Sequence, residues 1–454
     1  MPQYSSSTIC ALATASGIGA IAIIRLSGAD AITICNKVFF GKDLAKVESH
    51  TVHFGTIRAK EKIVDEVLVT VFKDKKSFTG ENSVEISTHG SPYIQQQVLQ
   101  LLITNGAISA GPGEFTLRAF LNGKLDLSQA EAVADVIAAN SETSHELAMN
   151  QMRGGFSSEI QKLREELIHF ASLIELELDF GEEDVEFADR EDLKELVENL
   201  NKALMALISS FDYGNVIKTG VPVAIVGRPN AGKSTLLNSL LNEDRAIVSA
   251  TAGTTRDTIE EMLNINGVQF RFVDTAGLRE TTDELEKIGV EKAFEQIEKS
   301  AIYLYLFDIN ALSLQEVEED LGQLNAKISR LVIANKTDLV DADKLAAFKK
   351  LDCYFISAKE NDNLEKLKES LFNAVTDNLI KSNDVVVTNV RHYGALSKAN
   401  ESLNTVLEGL GNNITGDFLA MDIRQALHQL GMITGDITTD DLLDNIFSKF
   451  CIGK

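Results

Sequence analysis

Tryptophan is absent from this chain, and there are only 5 prolines and 4 cysteines among its 454 residues. There is no low-complexity or proline-rich linker, and no internal repeat, which excludes solenoid architectures. Cys10, Cys35, Cys353 and Cys451 stand far apart, without the spacing of a metal site or a disulfide framework, as suits a reducing cytosol. Basic residues are also short: 43 Lys and Arg face 67 Asp and Glu, for a net charge of −24. Bulk attraction to a polyanion is thereby excluded, so any nucleic-acid contact must be local or be made by a basic partner. Long apolar runs are missing too. The stretch Ile9 to Ile24 superficially resembles an export or transit segment, but no Lys or Arg precedes it, Gly17 and Gly19 interrupt it, and Arg25 closes it. A folded strand is the better reading, and no other stretch is able to span a bilayer.

What is present is length enough for about three domains, each with its own core. Residues 1–118 alternate β-rich runs with turns: AIAIIRLSG, TVHFGTIRA, DEVLVTVF and VEISTHG, followed by the helix-like PYIQQQVLQLLITNG. This pattern predicts an α+β domain. From Leu117 the character turns helical, with LSQAEAVADVIAAN and then Leu163, Leu167, Phe170, Ile174 and Leu178 on one apolar stripe. The acidic run Gly181 to Asp192 breaks this pattern and reads as a solvated loop or helix start rather than a metal or partner site. Helical patterning returns late in the chain at Leu419, Ile423, Leu427 and Leu430, and again at Leu443, Ile446, Phe447 and Phe450, with TTDD from Thr438 to Asp441 as an N-terminal cap. The fold class expected is multidomain, α+β and α/β. A βα domain (216–380) is inserted into a discontinuous helical domain (119–215 and 381–454).

Four segments carry the chemistry: GRPNAGKST (Gly227 to Thr235), DTAG (Asp274 to Gly277), NKTD (Asn335 to Asp338) and SAK (Ser357 to Lys359). The first matches G-x-x-x-x-G-K-[ST] between a strand-like run, Val221 to Val226, and a helix-like run from Leu236, the context a phosphate loop requires. Gly227 and Gly232 let the backbone turn its N–H groups inward, and the helix start adds positive potential. Asn230, Ala231, Gly232, Lys233, Ser234 and Thr235 are therefore expected at the polyphosphate, with Lys233 neutralising its outer groups. Ser234 offers a hydroxyl to Mg²⁺. Asp274, after the apolar run Phe270 to Val273, is placed to hold that ion through water, and Thr275, Ala276 and Gly277 reach the terminal phosphate. The segment Ser249, Ala250, Thr251, Ala252, Gly253, Thr254 and Thr255 is rich in oxygen ligands, and Thr255 is suited to complete the Mg²⁺ shell. Asp338 selects guanine, because a carboxylate only accepts and guanine presents N–H donors where adenine presents an acceptor. Asn335, Lys336 and Thr337 shape that pocket with Ser357, Ala358 and Lys359, the backbone around Ala358 donating to the guanine carbonyl. Leu278 stands where many small GTPases carry a water-orienting Gln, so hydrolysis must draw its help from elsewhere.

Together with GTTRD at Gly253 to Asp257, DTAGLRE and the closing CIGK (Cys451 to Lys454), these segments resemble the MnmE, or TrmE, family of tRNA-modification GTPases over essentially the whole chain. The C-x-G-K ending is the rarest of them. The resemblance implies a Ras-like P-loop GTPase domain and an N-terminal, folate-binding-like domain that also forms a homodimer. It implies a cytoplasmic enzyme that works in a heterotetramer with an FAD-carrying partner, MnmG. Together they place an aminomethyl or carboxymethylaminomethyl group on C5 of the wobble uridine (U34) of certain tRNAs. The carbon comes from 5,10-methylene- or 5-formyl-tetrahydrofolate. By motif position the resemblance assigns the folate contacts to Arg25, Glu85, Lys124 and Lys454, each of which would otherwise read as a surface charge. It assigns a K⁺ ion to Asn230 with Ser249, Thr251 and Thr254, held where other GTPases use an arginine finger, and water positioning to Glu286.

Cys451 on its own reads as a small apolar filler; the resemblance moves it to the modification site without fixing its role as nucleophile, proton donor or structural residue. GPGEF (Gly111 to Phe115) reads as a turn into a helix rather than an anion site, and His89 as structural. A regulatory or ribosome-assembly GTPase would use the same switch for binding alone, but it normally brings a basic RNA module, which this chain lacks. A self-assembling structural GTPase would need coiled-coil or membrane-binding segments that are also missing.

Overall fold

The computed structural model describes residues 7–179, 190–244, 261–272, 295, 297–324, 328–379, 385–412 and 414–453. Its residues divide into two compact units. One comprises Met1–Ala138, Ala148–Leu204 and Gly394–Lys454; the other comprises Ala139–Leu147 and Met205–Tyr393.

The first unit is built on a sheet of seven strands: β1 (Ile9–Leu12), β2 (Ile21–Ser27), β3 (Phe39–Phe40), β4 (Thr51–Ala59), β5 (Lys62–Phe72), β6 (Ser83–His89) and β7 (Ile108–Ser109). Their order is β3-β4-β5-β6-β2-β1-β7, and every pairing is antiparallel except β1 with β7. Alternation along β2, β5 and β6 sends Ile24, Leu26, Val67, Val69, Val71, Val84 and Ile86 to one face. There they meet Ile34, Cys35 and Val98 of the helices Ala31–Val38 and Pro92–Thr104. The apolar run from Ile9 is therefore a pair of strands, Ile9 opposite Ser27 and Leu12 opposite Ile24.

Of the expected stripe, Leu163, Leu167, Phe170 and Ile174 are buried along the helix Gly155–Asp179, and the side chain of Leu178 lies outside what is described. That helix packs along Gly416–Thr434, on which Leu419, Ile423 and Leu430 are buried. The last helix, Asp440–Phe447, is capped by Thr439, whose hydroxyl accepts from the Leu442 N–H at 3.3 Å. Its Leu443, Ile446 and Phe447 pack with Leu117, Leu127 and Ala130. The chain then runs back onto the sheet. The Gly113 N–H donates to the Cys451 carbonyl at 3.3 Å, Ile452 bridges Pro112, and Gly453 lies on β1.

The second unit holds a six-stranded sheet of β8 (Val221–Val226), β9 (Glu261–Ile265), β10 (Val268–Phe272), β11 (Ile302–Asp308), β12 (Ser329–Asn335) and β13 (Tyr354–Phe355), ordered β13-β12-β11-β8-β10-β9. Only β9 runs antiparallel. Both faces are covered, so the strands read as continuous apolar runs. Val223, Ile225, Leu304 and Leu306 face one core; Ala224, Val226, Tyr303, Tyr305 and Phe307 face the other. The segment Ala139–Leu147 belongs to this unit: the Thr143 hydroxyl donates to the Gly267 carbonyl at 2.9 Å, at the turn between β9 and β10. Among the described residues no helix is long and apolar enough to cross a membrane.

Gly453 has φ +95, and a Cβ there would stand 2.1 Å from the Leu12 carbonyl oxygen. Gly453→Ala must therefore loosen the closing segment from β1. Hydrogen exchange at the Gly113 amide is expected to quicken about tenfold, a local loss of about 1.4 kcal/mol.

Candidate nucleotide-binding site

The motif residues meet at the carboxyl ends of β8, β11 and β12, the edge of a parallel sheet where α/β proteins bind ligands. Directly after β8 the loop Gly227 to Gly232 turns through left-handed backbone at Asn230, φ +62, and Gly232, φ +98. The helix Lys233–Asp244 begins three residues before the apolar run starting at Leu236 suggests. The reason is that Lys233 and Ser234, both polar, occupy its first turn and so show no apolar period. Lys233 Nζ donates to the carbonyls of Gly227 at 2.7 Å and Arg228 at 3.1 Å, and burial pulls its pKa below the usual lysine range. That ammonium is held against the loop, where phosphate oxygens would meet it.

Asn335 joins this loop to the segment Ser357 to Lys359. Only 2% exposed, it donates from Nδ2 to the Ala231 carbonyl at 2.9 Å and accepts at Oδ1 from the Ala358 N–H at 3.0 Å. The Ala358 amide is thus engaged by Asn335. Its carbonyl is fixed from the other side by the Ser239 hydroxyl at 2.6 Å. Lys336, in left-handed backbone with φ +64, pairs its Nζ with Asp308 at 2.8 Å. Burial raises the Asp308 carboxyl's pKa, but the Lys336 and Asn310 hydrogen bonds outweigh it and hold the group below the usual carboxylate range. Asp338 is exposed, and one of its oxygens accepts from the buried Ser357 hydroxyl at 2.6 Å, which aims the carboxylate. Beside the two lies an open cleft of about 540 Å³, lined also by Thr337, Leu345, Lys349 and Phe355.

These are the parts that the four sequence motifs predict for a guanine-specific phosphate-loop site. Asn230, Ala231 and Gly232 lie on the loop after β8, Lys233, Ser234 and Thr235 in the first turn of the helix that follows, Asn335 at the end of β12, and Lys336, Thr337, Asp338, Ser357, Ala358 and Lys359 on the segments after β12 and β13. The expected residues Ser249, Ala250, Thr251, Ala252, Gly253, Thr254, Thr255, Asp274, Thr275, Ala276, Gly277 and Glu286 lie outside the described residues, as do Leu278 and Lys454. Sequence pattern does not single out Asp308, Ser239 or Arg228. Asp308 and Ser239 stand in ordinary strand and helix patterns that carry no motif, and Arg228 occupies a position of the loop that the motif leaves open.

In the first unit, Arg25 and Glu85 face each other across β2 and β6 as an ion pair at 2.8 Å, and the Arg25 guanidinium lies 5.7 Å from the Phe115 ring centre. Lys124 is exposed, beside Gly80. Cys451 is exposed at the segment that returns to β1, the strand paired with the one carrying Arg25. His89 forms a pair with the buried Asp65, Nδ1 to Oδ1 at 2.7 Å, a structural contact between β5 and β6.

Fold and site together define a P-loop GTPase. A family model described as the MnmE helical domain matches residues 127–451, and one described as the GTP-binding protein TrmE N-terminus matches residues 8–124. The chain is 56% identical over 449 residues to the tRNA modification GTPase MnmE of Cytophaga hutchinsonii, covering 98% of each protein. Against the Christiangramia forsetii protein of the same name it is 55% identical, covering 98% of this chain and 99% of that one. Among solved structures, that of an Aquifex aeolicus Era variant bound to GDP and aluminium fluoride is 29% identical with a TM-score of 0.27, covering 40% of this chain and 66% of that one. The chain belongs to the MnmE family of tRNA modification GTPases.

Two outcomes follow from the geometry. A Cβ on Gly232 would stand 2.3 Å from Asn335 Nδ2. Gly232→Ala is therefore expected to weaken GDP binding by more than about tenfold, measured by fluorescent-nucleotide titration, while circular dichroism stays that of the parent. For the thiols, burial pushes Cys10 up to about 11 and Cys35 to about 12, and burial with Asp352 pushes Cys353 to about 11. A neutral-pH thiol reagent should thus show one fast equivalent, lost in Cys451→Ser, and three that react on unfolding.

Proposed function

We propose that this chain is a K⁺-dependent GTPase, activated by pairing of its GTPase domains, that drives wobble-uridine modification of tRNA. The observation that carries the nucleotide half is the buried Asn335, which ties the phosphate loop to the guanine loop in one rigid cradle. Lys233 offsets phosphate charge there, Ser234 with Thr255 would hold Mg²⁺, and Asp274 would do so through water. Bound magnesium supplies charge compensation on the transferring phosphoryl group. Asn230, Ser249, Thr251 and Thr254 are proposed to hold K⁺, and Glu286 to position the attacking water, in place of the Gln absent at Leu278.

The modification half is supported by the return of Cys451 and Gly453 to β1, next to the strand carrying Arg25. Residues 1–118 form the proposed dimerisation and folate domain, with Arg25, Glu85, Lys124 and Lys454 as folate contacts. Residues 119–215 and 381–454 form the helical domain, and 216–380 the GTPase domain. The proposed partners are a second copy of the chain, the FAD-carrying MnmG and tRNA, in the cytoplasm. The proposed carbon donor is 5,10-methylene- or 5-formyl-tetrahydrofolate.

The test is reconstitution with tRNA, the flavoprotein, GTP, KCl and the folate, each omitted in turn. Hydrolysis is expected to be specific for GTP over ATP and to run faster in K⁺ than in Na⁺, and modified uridine should vanish with any omission. Equal rates in the two salts would remove the ion site, and uridine modified without folate would remove the donor.

A further inference from the structure

Arg228 occupies the second position of the phosphate loop, and its guanidinium turns away from the phosphate cradle. Nε reaches Asp320 Oδ2 and Nη2 reaches Asp320 Oδ1, both at 2.9 Å, in a two-pronged fork, while Nη1 lies 3.3 Å from Glu316 Oε1. Both carboxylates stand on the helix Leu314–Gln323. Neither is left to find its own position. Glu316 closes the capping box of that helix, its Oε2 accepting from the Ser313 N–H at 2.9 Å and the Ser313 hydroxyl at 2.8 Å. Asp320 Oδ2 also accepts from the Tyr305 hydroxyl at 2.6 Å. Tyr305 is 2% exposed and stands on β11 opposite Val226, the last residue of β8 before the loop begins.

A buried phenol needs a partner, and Asp320 is the one it has here. The chain of contacts therefore starts in the sheet core, passes through Asp320 and ends on the loop. What it fixes is the pair of carbonyls at Gly227 and Arg228, the two that hold Lys233 Nζ. The chemistry supports the geometry. The Asp320 hydrogen bond, with Glu316 behind it, raises the Arg228 pKa above its ordinary value, and burial together with Asp320 raises that of the Tyr305 phenol. An isolated exposed ion pair is worth at most about 1 kcal/mol, but a fork with one carboxylate oxygen anchored to a buried hydroxyl loses little side-chain freedom on forming.

We propose that Tyr305, Asp320 and Arg228 are positioning residues for GTP: they hold the entry of the phosphate loop so that Lys233 is in place before the nucleotide arrives. Arg228 contacts no reacting group in this role. Its charge is consumed by Asp320 and Glu316, so it acts through the backbone it carries rather than on the phosphates. A preformed loop spares the ordering cost on binding, so its loss falls on affinity for GTP and GDP alike, more than on the chemical step. The inference rests on the nucleotide-site reading above.

The experiment is a double-mutant cycle on the full chain with Arg228→Ala, Asp320→Asn and the pair, with Tyr305→Phe as a further arm. Asp320→Asn keeps an acceptor for the phenol, so it removes the fork without stranding the buried hydroxyl. Each single substitution on the fork is expected to raise the GDP dissociation constant about fivefold, and the pair to raise it by no more than either alone. The KM for GTP should rise more than kcat falls, and Tyr305→Phe should reproduce a smaller part of the same loss. Parent-like GDP affinity in Asp320→Asn would overturn the inference, as would effects that multiply in the pair. If the unaltered chain failed to bind GDP, the nucleotide-site reading itself would fall, and this one with it.

Discussion

The site depends on a single amide side chain. Asn335 leaves the carboxyl end of β12 and, excluded from water, spends its donor on the loop after β8 and its acceptor on the segment Ser357 to Lys359. A buried amide with either group unpaired would cost of the order of 1–3 kcal/mol, so the two loops are energetically bound to one arrangement. The other contacts at the edge refine what Asn335 establishes: Ser239 fixes the outer carbonyl of the base loop, Ser357 aims Asp338, and Asp308 anchors Lys336.

Much of this was legible in the residues because local pattern and tertiary role coincide there. Val221 to Val226 reads as an apolar strand and is β8 to the residue, and the strand runs of the N-terminal part appear as β2, β4, β5 and β6. The stripe from Leu163 to Ile174 is buried as its spacing requires. Where pattern was silent the reasons are physical. β3 and β7 are two residues long, too short to show a period. The helix after the phosphate loop opens with Lys233 and Ser234, both polar, so its apolar period starts late. Tyr305, Asp308 and Asp320 are single residues in elements with their own packing logic, and no spacing along the chain announces that they converge on the loop.

The pairings that matter to the first unit are those most distant in sequence. Arg25 meets Glu85 across two strands that are not consecutive, and Cys451 is carried back to the strand beside them. Neither charge needs the other for the fold's core, which lies on the opposite side of the strands, among Ile24, Leu26 and Ile86. An ion pair a quarter exposed on each side contributes little to stability after solvent screening. Its value is geometric: it keeps two opposite charges at a defined separation on a rigid sheet.

The contact between Gly453 and the Leu12 carbonyl has a consequence for how the chain comes off the ribosome. The segment that seals β1 is translated after β1 and after the whole of the second unit. The unit containing Met205–Tyr393 can reach its native packing before residues 451–453 are made, whereas the one containing β1 must wait with an open seam until those residues clear the exit tunnel. Vectorial synthesis thus gives the two units different folding schedules, and shielding of the nascent N-terminal sheet by chaperones would matter most in that interval.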